Sequence, residues 1–278
     1  MSSASISRRG FLQATAWVTV GSHAVGARPV AHLPQGATLS YRQLDSVRAL
    51  VFDVFGTVVD WRSSVTSEVR QVAQRKGLSV DAEKFADAWR AGYGPSMNRV
   101  RTGDLPWTKL DALHRMTLDR ILTEFGIAGL SDAEKEGLNR AWHRLKPWPD
   151  SVEGLTRLKK KFIVAPLSNG NISLMTDLAR YAGLPWDCIL GAELVRHYKP
   201  DREVYQSAAD ILDLQPAQVM MVAAHLGDLR AANSVGLHTA FVTRPLEFGP
   251  AGKPDLKADA SMDVSATDFN DLARQLGA

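Results

Sequence analysis

Four short segments of this sequence carry side chains suited to nucleophilic chemistry. Asp53 opens Asp53-Val54-Phe55-Gly56-Thr57-Val58-Val59-Asp60, where a carboxylate is followed by a glycine turn and a hydroxyl, Thr57, placed to hydrogen-bond it. Ser168-Asn169-Gly170 offers a hydroxyl, an amide and backbone N–H groups of the kind that receive an anion where a helix opens. Lys199-Pro200 supplies a cation that would lower a neighbouring carboxylate pKa, and Ala223-Ala224-His225-Leu226-Gly227-Asp228 ends on a second acid. A nucleophilic Asp, an anion seat, a lysine and a late acid fit together. Each residue also has an ordinary use: Asp53, Ser168, Asn169 and Asp228 as caps, Lys199 as a solvated side chain, His225 as a satisfied core histidine.

Three of these segments follow runs that read as buried strands, and Lys199-Pro200 precedes a helical pattern. Val47 to Phe52 is a β-branched and aromatic run, apolar apart from Arg48, as in a strand covered on both faces of a parallel sheet. Comparable runs lie at 162–167, 188–190, 219–222 and 239–242, with helical patterns between them. Strands alternating with helices predict an α/β fold with a doubly wound, Rossmann-like parallel sheet whose ligands sit beyond the carboxyl ends of the strands. From Trp61 to Lys146 the period is helical with no convincing strand, which predicts an inserted all-helical cap. Within it Ser131-x-x-Glu134 predicts a capping box, Gly126 and Gly129 a helix end and turn, and Trp89, Trp107 and Trp142 the cap's own core. Asp150 is placed to cap the next helix, and Asp60 reads as structural. The expected organisation is a core of residues 47–60 and 147–278, a cap of residues 61–146, and a linker of residues 28–46 containing Pro29, Pro34 and Gly36.

The 278 residues are 45% hydrophobic and 23% charged, which excludes a disordered chain, a collagen and a coiled coil. Lys and Arg number 33 against 30 Asp and Glu, and no basic block occurs, so there is no electrostatic footprint for nucleic acid. The single cysteine, Cys188, can form neither an internal disulfide nor a thiolate metal site.

At the N-terminus, Ser7-Arg8-Arg9-Gly10-Phe11-Leu12-Gln13 precedes a modestly apolar stretch and the ending Ala24-Val25-Gly26-Ala27. This resembles a twin-arginine export signal over residues 1–27, and implies passage through the twin-arginine machinery to a periplasmic or exported location. No other apolar run approaches the roughly 18 residues needed to span a bilayer, so after cleavage nothing is expected to hold the chain in a membrane.

The four catalytic segments, in this order and setting, resemble those of the haloacid dehalogenase superfamily over roughly Ser46 to Pro250. The resemblance implies that Asp53 attacks an electrophilic carbon or phosphorus and forms a covalent intermediate. Phosphatases of the superfamily carry a second Asp two residues later, as acid/base and metal support; here that residue is Phe55. An apolar ring can neither protonate an alkoxide nor bind a metal, which favours a leaving group that needs no proton, such as halide. The pattern is most similar to the type II 2-haloacid dehalogenases, which have an aromatic residue there, a hydroxyl-asparagine pair as at Ser168-Asn169, and a Lys-Pro followed by a tyrosine, as at Lys199 and Tyr205. That family bears an arginine in an early cap helix that receives halide and substrate; Arg90 is the best local match, with Arg99 and Arg101 as competitors.

What the resemblance implies is removal of halide from a short 2-haloalkanoic acid with inversion at C2, without metal or organic cofactor. Asp53 attacks C2, halide leaves toward Arg90 and Asn169, and a water near Asp228 attacks the ester carbonyl of Asp53. Lys199 balances the two converging negative charges. The L-enantiomer and a homodimer are implied, although no stripe marks an interface. At the fourth motif the best-known members read Ser-Ser-Asn-aromatic-Asp, so His225 replaces an asparagine and Gly227 an aromatic wall. His225 is placed to orient the water, and Gly227 widens the pocket. Two further readings stay open: a magnesium-dependent phosphatase using Asp53 and Asp228, and a non-catalytic binder of small carboxylates.

Overall fold

Strand β1 (Ala49–Phe52) is buried along its whole length and has a parallel partner on each side, with Phe52 in register with Pro166 on one and Val222 on the other. In the computed structural model, which describes residues 41–278, β1 lies inside a six-stranded parallel sheet. The other members are β4 (Ile163–Ser168), β5 (Leu190–Gly191), β6 (Val219–Ala223), β7 (His238–Val242) and β8 (Val264–Ala266), in the order β5-β4-β1-β6-β7-β8. Alternate residues feed opposite cores. Leu50, Phe52, Val164, Met220 and Val222 pack on one face, and Ala49, Val51, Ala165, Met221 and Phe241 on the other. With both faces covered, the strands read as continuous apolar runs.

Helices α6 (Ser151–Leu158), α7 (Ile172–Ala182) and α11 (Phe269–Gln275) cover the first face, and α9 (Arg202–Ile211) and α10 (Leu226–Asn233) the second. A single turn, α8 (Ala192–Val195), follows β5. The doubly wound sheet is therefore as expected; β8 and α11 are elements for which no sequence signal was read.

The helical insertion comprises α1 (Trp61–Lys76), α2 (Ala82–Ala91), α3 (Tyr93–Arg101), α4 (Leu110–Glu124) and α5 (Asp132–Asn139). The chain enters and leaves it through a two-stranded antiparallel neck, β2 (Val59–Asp60) and β3 (Lys146–Pro147), which pairs Val59 with Pro147 and Asp60 with Lys146. No strand was expected here, because two residues are too few to display a period. Asp60 caps α1 by accepting the Ser63 N–H at 3.0 Å, and Ser131 and Glu134 form the expected capping box. Trp61, Trp89 and Trp142 are buried together, Trp61 stacked on Trp142 and Trp89 set edge-on to it. Trp107 departs from expectation: it is partly buried and its ring packs on Tyr198, 4.9 Å away.

Asp150 also departs from expectation. It occupies the N-cap position of α6, but its side chain makes no capping bond. The carboxylate instead receives the Arg244 guanidinium at 2.7 and 2.9 Å and the Phe269 N–H at 2.8 Å. A bidentate charged donor outcompetes a helix N–H for a partly buried carboxylate. The proposed signal over residues 1–27 lies outside the described residues, as does the linker up to residue 40; the linker's last six residues, Tyr41–Ser46, form a 3-10 helix.

Candidate active site

The parallel register brings the carboxyl ends of β1, β4 and β6 level, so the residues that follow them converge. Asp53 leaves β1 with its N–H donated to the Val222 carbonyl at 3.0 Å. The turn behind it returns Thr57, fully buried, whose hydroxyl donates to Asp53 Oδ2 at 2.7 Å while accepting the Ala224 N–H at 2.9 Å. One hydroxyl thus ties the nucleophile candidate to the end of β6.

Lys199 is buried, and its Nζ lies 3.4 Å from Asp53 Oδ1 and 2.8 Å from Asp228 Oδ2. Its backbone N–H donates to Asn169 Oδ1 at 2.8 Å, so the end of β4 fixes the start of the lysine segment. Tyr205, on the buried face of α9, donates its hydroxyl to Asp228 Oδ1 at 2.6 Å. Asp228 therefore caps nothing: it sits in the first turn of α10, with both oxygens engaged by side chains.

His225 bridges two carboxylates, with Nδ1 3.1 Å from Asp53 Oδ2 and Nε2 3.0 Å from each oxygen of Glu247. Burial alone would push the imidazole down, but hydrogen bonds and charge from Asp53 and Glu247 outweigh it and raise the pKa to about 10. Burial likewise opposes ionisation of Asp53, yet Lys199, His225 and Thr57 together hold it well below the usual carboxylate range. Asp228 moves the other way, raised by burial and by the charge of Asp53 despite Lys199. Burial works against the charge on Lys199 too, but Asp228 and Asp53 keep it protonated.

A cavity of about 340 Å³ opens over this cluster, lined by Asp53, Phe55, Arg90, Asn169, Lys199, Tyr205, His225 and Asp228, with Tyr93 and Met97 from the helical insertion. Phe55 is buried, its ring edge-packed on Tyr93, His114 and Trp142, so the second residue after Asp53 joins the end of β1 to the helical insertion through apolar contact. Arg90 reaches the cavity with its guanidinium 4.2 Å from the Tyr93 ring centroid, and its Nη1 is buried without a hydrogen-bond partner. Such an orphan donor is a seat for an anion. Its competitors lie elsewhere: Arg101 pairs with Asp201, and Arg99 is exposed on the outer side of α3 beside Arg120.

Ser168 stands apart from this lining. It is fully buried, and its hydroxyl accepts the Gly170 N–H at 3.0 Å. The opening of α7 is also occupied, because Ile172 N–H donates to Glu193 at 2.7 Å. The free anion seat expected at Ser168-Asn169-Gly170 is thus largely used within the protein.

Two residues that sequence reasoning missed complete the site. Glu247 and Arg244 lie in the loop after β7. Glu247 is 1% exposed against His225, and Arg244 donates through Nε to the Thr57 carbonyl at 2.8 Å. Both follow the carboxyl end of the fifth apolar run, which is where ligands of such a sheet sit, and that position is the signal that points to them.

A divalent cation does not suit this arrangement. The Lys199 ammonium already lies between Asp53 and Asp228, and Phe55 offers no oxygen; among the described residues no group of three His, Cys, Asp or Glu side chains is arranged to hold a metal ion.

An ionised aspartate at the end of the first sheet strand, faced by a lysine and a late acid beneath a helical insertion, defines a class of hydrolase. A family model for haloacid dehalogenase-like hydrolases matches residues 47–236, and the chain belongs to that family. Within it the chain groups with the 2-haloacid dehalogenases. The (S)-2-haloacid dehalogenase 1 of Pseudomonas sp. strain CBS-3 is 30% identical over 212 residues, covering 72% of this chain and 86% of the relative. The crystal structure of Rha0230, a defluorinating L-2-haloacid dehalogenase, is 52% identical with a TM-score of 0.82, covering 84% of this chain and 96% of that one. That of the L-2-haloacid dehalogenase PA0810 is 49% identical with a TM-score of 0.79, covering 83% and 99%.

Proposed function

We propose that this protein hydrolyses short 2-haloalkanoic acids, releasing halide through an ester of Asp53 with inversion at C2. The observation that carries the reading is the contents of one cavity: an ionised, hydrogen-bonded Asp53, an Arg90 whose buried Nη1 lacks a hydrogen-bond partner, and the Phe55 ring where a proton-donating carboxylate would otherwise stand. Asp53 attacks C2 and the carbon–halogen bond breaks with its electron pair on the halide. Halide needs no proton, so an apolar neighbour is no handicap. Arg90 and Asn169 receive the anionic groups, and Lys199 offsets the charge that accumulates as the substrate carboxylate approaches Asp53. Water then attacks the ester carbonyl of Asp53 and restores the carboxylate. Phosphoryl transfer is disfavoured by Phe55, and a purely binding role by the coordination invested in Asp53.

The test is halide release from L-2-chloropropionate and L-2-fluoropropionate in EDTA, wild type against Asp53→Asn. Metal-independent release abolished by the substitution is expected. Hydrolysis of a phosphate ester that requires magnesium, with no halide released, would overturn the reading.

We further propose that Arg8-Arg9 directs twin-arginine export, supported by the Arg-Arg-x-Phe-Leu segment and the small-residue ending at Ala27. Export that persists unchanged after substitution of both arginines by lysine would refute this.

A further inference from the structure

Glu247 belongs to none of the four catalytic segments, yet the molecule is built around its carboxylate. It is 1% exposed, holds His225 Nε2 at 3.0 Å from both oxygens, and receives Trp61 Nε1 at 3.3 Å. A Cβ placed on Gly56 would fall 2.1 Å from Glu247 Oε1, and Gly56 has φ +89°, so the turn behind the nucleophile is shaped to admit this group. Arg244, three residues earlier, fastens the same loop to the Thr57 carbonyl and to Asp150. Glu247, His225 and Asp53 thus form a line whose two ends are fixed to one turn.

We propose that His225 is the general base of the second half-reaction, taking the proton of the water that hydrolyses the Asp53 ester, and that Glu247 is the positioning residue that orients the imidazole for it. This rests on the aspartyl-ester reading above. In the resting protein the imidazole lies between two carboxylates and is held protonated, which keeps Asp53 ionised for attack. Alkylation makes Asp53 a neutral ester, and Nδ1 loses its charged partner. The Nδ1 proton leaves to solvent, matching the halide released. Nε2 stays donated to Glu247, so Nδ1 is the nitrogen left free to accept.

Water then bonds to the Asp53 carbonyl carbon as Nδ1 takes one of its protons. Collapse of the tetrahedral carbon breaks its bond to the substrate oxygen, and the departing alkoxide takes the proton from the imidazolium. The acid proton left on Asp53 returns to Nδ1, restoring the starting pair. The other charged groups against Asp53 are less suited to this step. Lys199 carries its full complement of protons, and Asp228 has one oxygen on Lys199 and the other on Tyr205.

The test separates the half-reactions. Full-length wild type, His225→Gln, Glu247→Gln and Glu247→Asp are mixed with L-2-chloropropionate, quenched at intervals, and read by released halide and by the intact mass of the protein. Wild type is expected to turn over many times with little added mass. His225→Gln and Glu247→Gln are expected to release about one halide per protein and retain the ester, with hydrolysis slowed by about tenfold or more, and Glu247→Asp to be intermediate. If the wild type turns over but halide release in both Gln variants slows without any accumulated ester, the proposal is overturned. If wild type neither releases halide nor gains mass, the aspartyl-ester reading itself falls and takes this one with it.

Discussion

The side chain of Asn169 holds the backbone of Lys199: its Oδ1 accepts the lysine N–H at 2.8 Å, so the end of β4 sets where the ammonium meets Asp53 and Asp228. Asn169→Ala leaves that buried N–H unpaired, an expected cost of about 1–3 kcal/mol. It also frees the lysine segment to shift, and the halide-release rate is expected to fall about tenfold. Asn169→Asp retains the acceptor and should recover most of the stability. Urea denaturation alongside steady-state halide release checks both; an Asn169→Ala variant unchanged in either would show that the bond does not position Lys199.

Gly56→Ala is expected to be among the most damaging small substitutions. The added methyl carbon would meet Glu247 Oε1 at 2.1 Å, in a backbone conformation of φ +89° that side chains rarely adopt. A loss of about 2–4 kcal/mol is expected. Adding Glu247→Ala removes the clash but not the backbone strain, so the double variant should recover part of the loss relative to additivity. Additive losses in a double-mutant cycle would place the damage elsewhere.

His225 makes stability depend on alkaline pH. Its pKa rises on folding from 6.5 to about 10, so the folded protein binds more protons than the unfolded chain between those values. The stabilisation is complete below pH 6.5 and declines as pH rises toward 10, with a slope approaching ~1.4 kcal/mol per pH unit. The groups facing the ring are Asp53 and Glu247, with Lys199 beyond Asp53. His225→Gln should flatten the decline between pH 7 and 9.5 (about the window of that shift). An unaltered slope in thermal unfolding would contradict the imidazolium.

His114 acts at the acid end. Burial pushes its pKa down to about 3, both ring nitrogens lack hydrogen-bond partners, and the ring stacks on Trp142 with centroids 4.4 Å apart. Below pH 6.5 the unfolded chain takes up a proton that the folded protein refuses, so stability falls as pH drops toward 3. His114→Phe keeps the stacking and removes that loss. It should gain about 2 kcal/mol more at pH 5 than at pH 8, a difference read from denaturation curves at the two values.

The legible parts of this molecule are those where a physical constraint acts on neighbouring residues. The runs around β1, β4, β6 and β7 announce themselves because burial on both faces leaves their interiors almost wholly apolar. Three of the four catalytic segments are legible because each follows such a run, and Lys199-Pro200 because it directly precedes a helix. The neck formed by β2 and β3 has two residues per strand and no period to read. Asp150 reads as a cap because capping is local, whereas Arg244, 94 residues away, claims its carboxylate. Choosing Arg90 over Arg99 and Arg101 depends on which side of two cap helices faces Asp53. Glu247 is opaque for a related reason: a lone glutamate in a loop looks solvated until the fold buries it.

The clasp of Arg244 on Thr57 and Asp150 joins the turn after Asp53 to a part of the chain nearly two hundred residues later. During synthesis the nucleophile therefore emerges long before the groups that hold its turn. A growing polypeptide that has not yet reached Glu247 has Asp53 but neither the clasp nor the carboxylate behind His225. The reactive end of the sheet is thus finished by a segment made long after the nucleophile it serves, and competence waits on that segment.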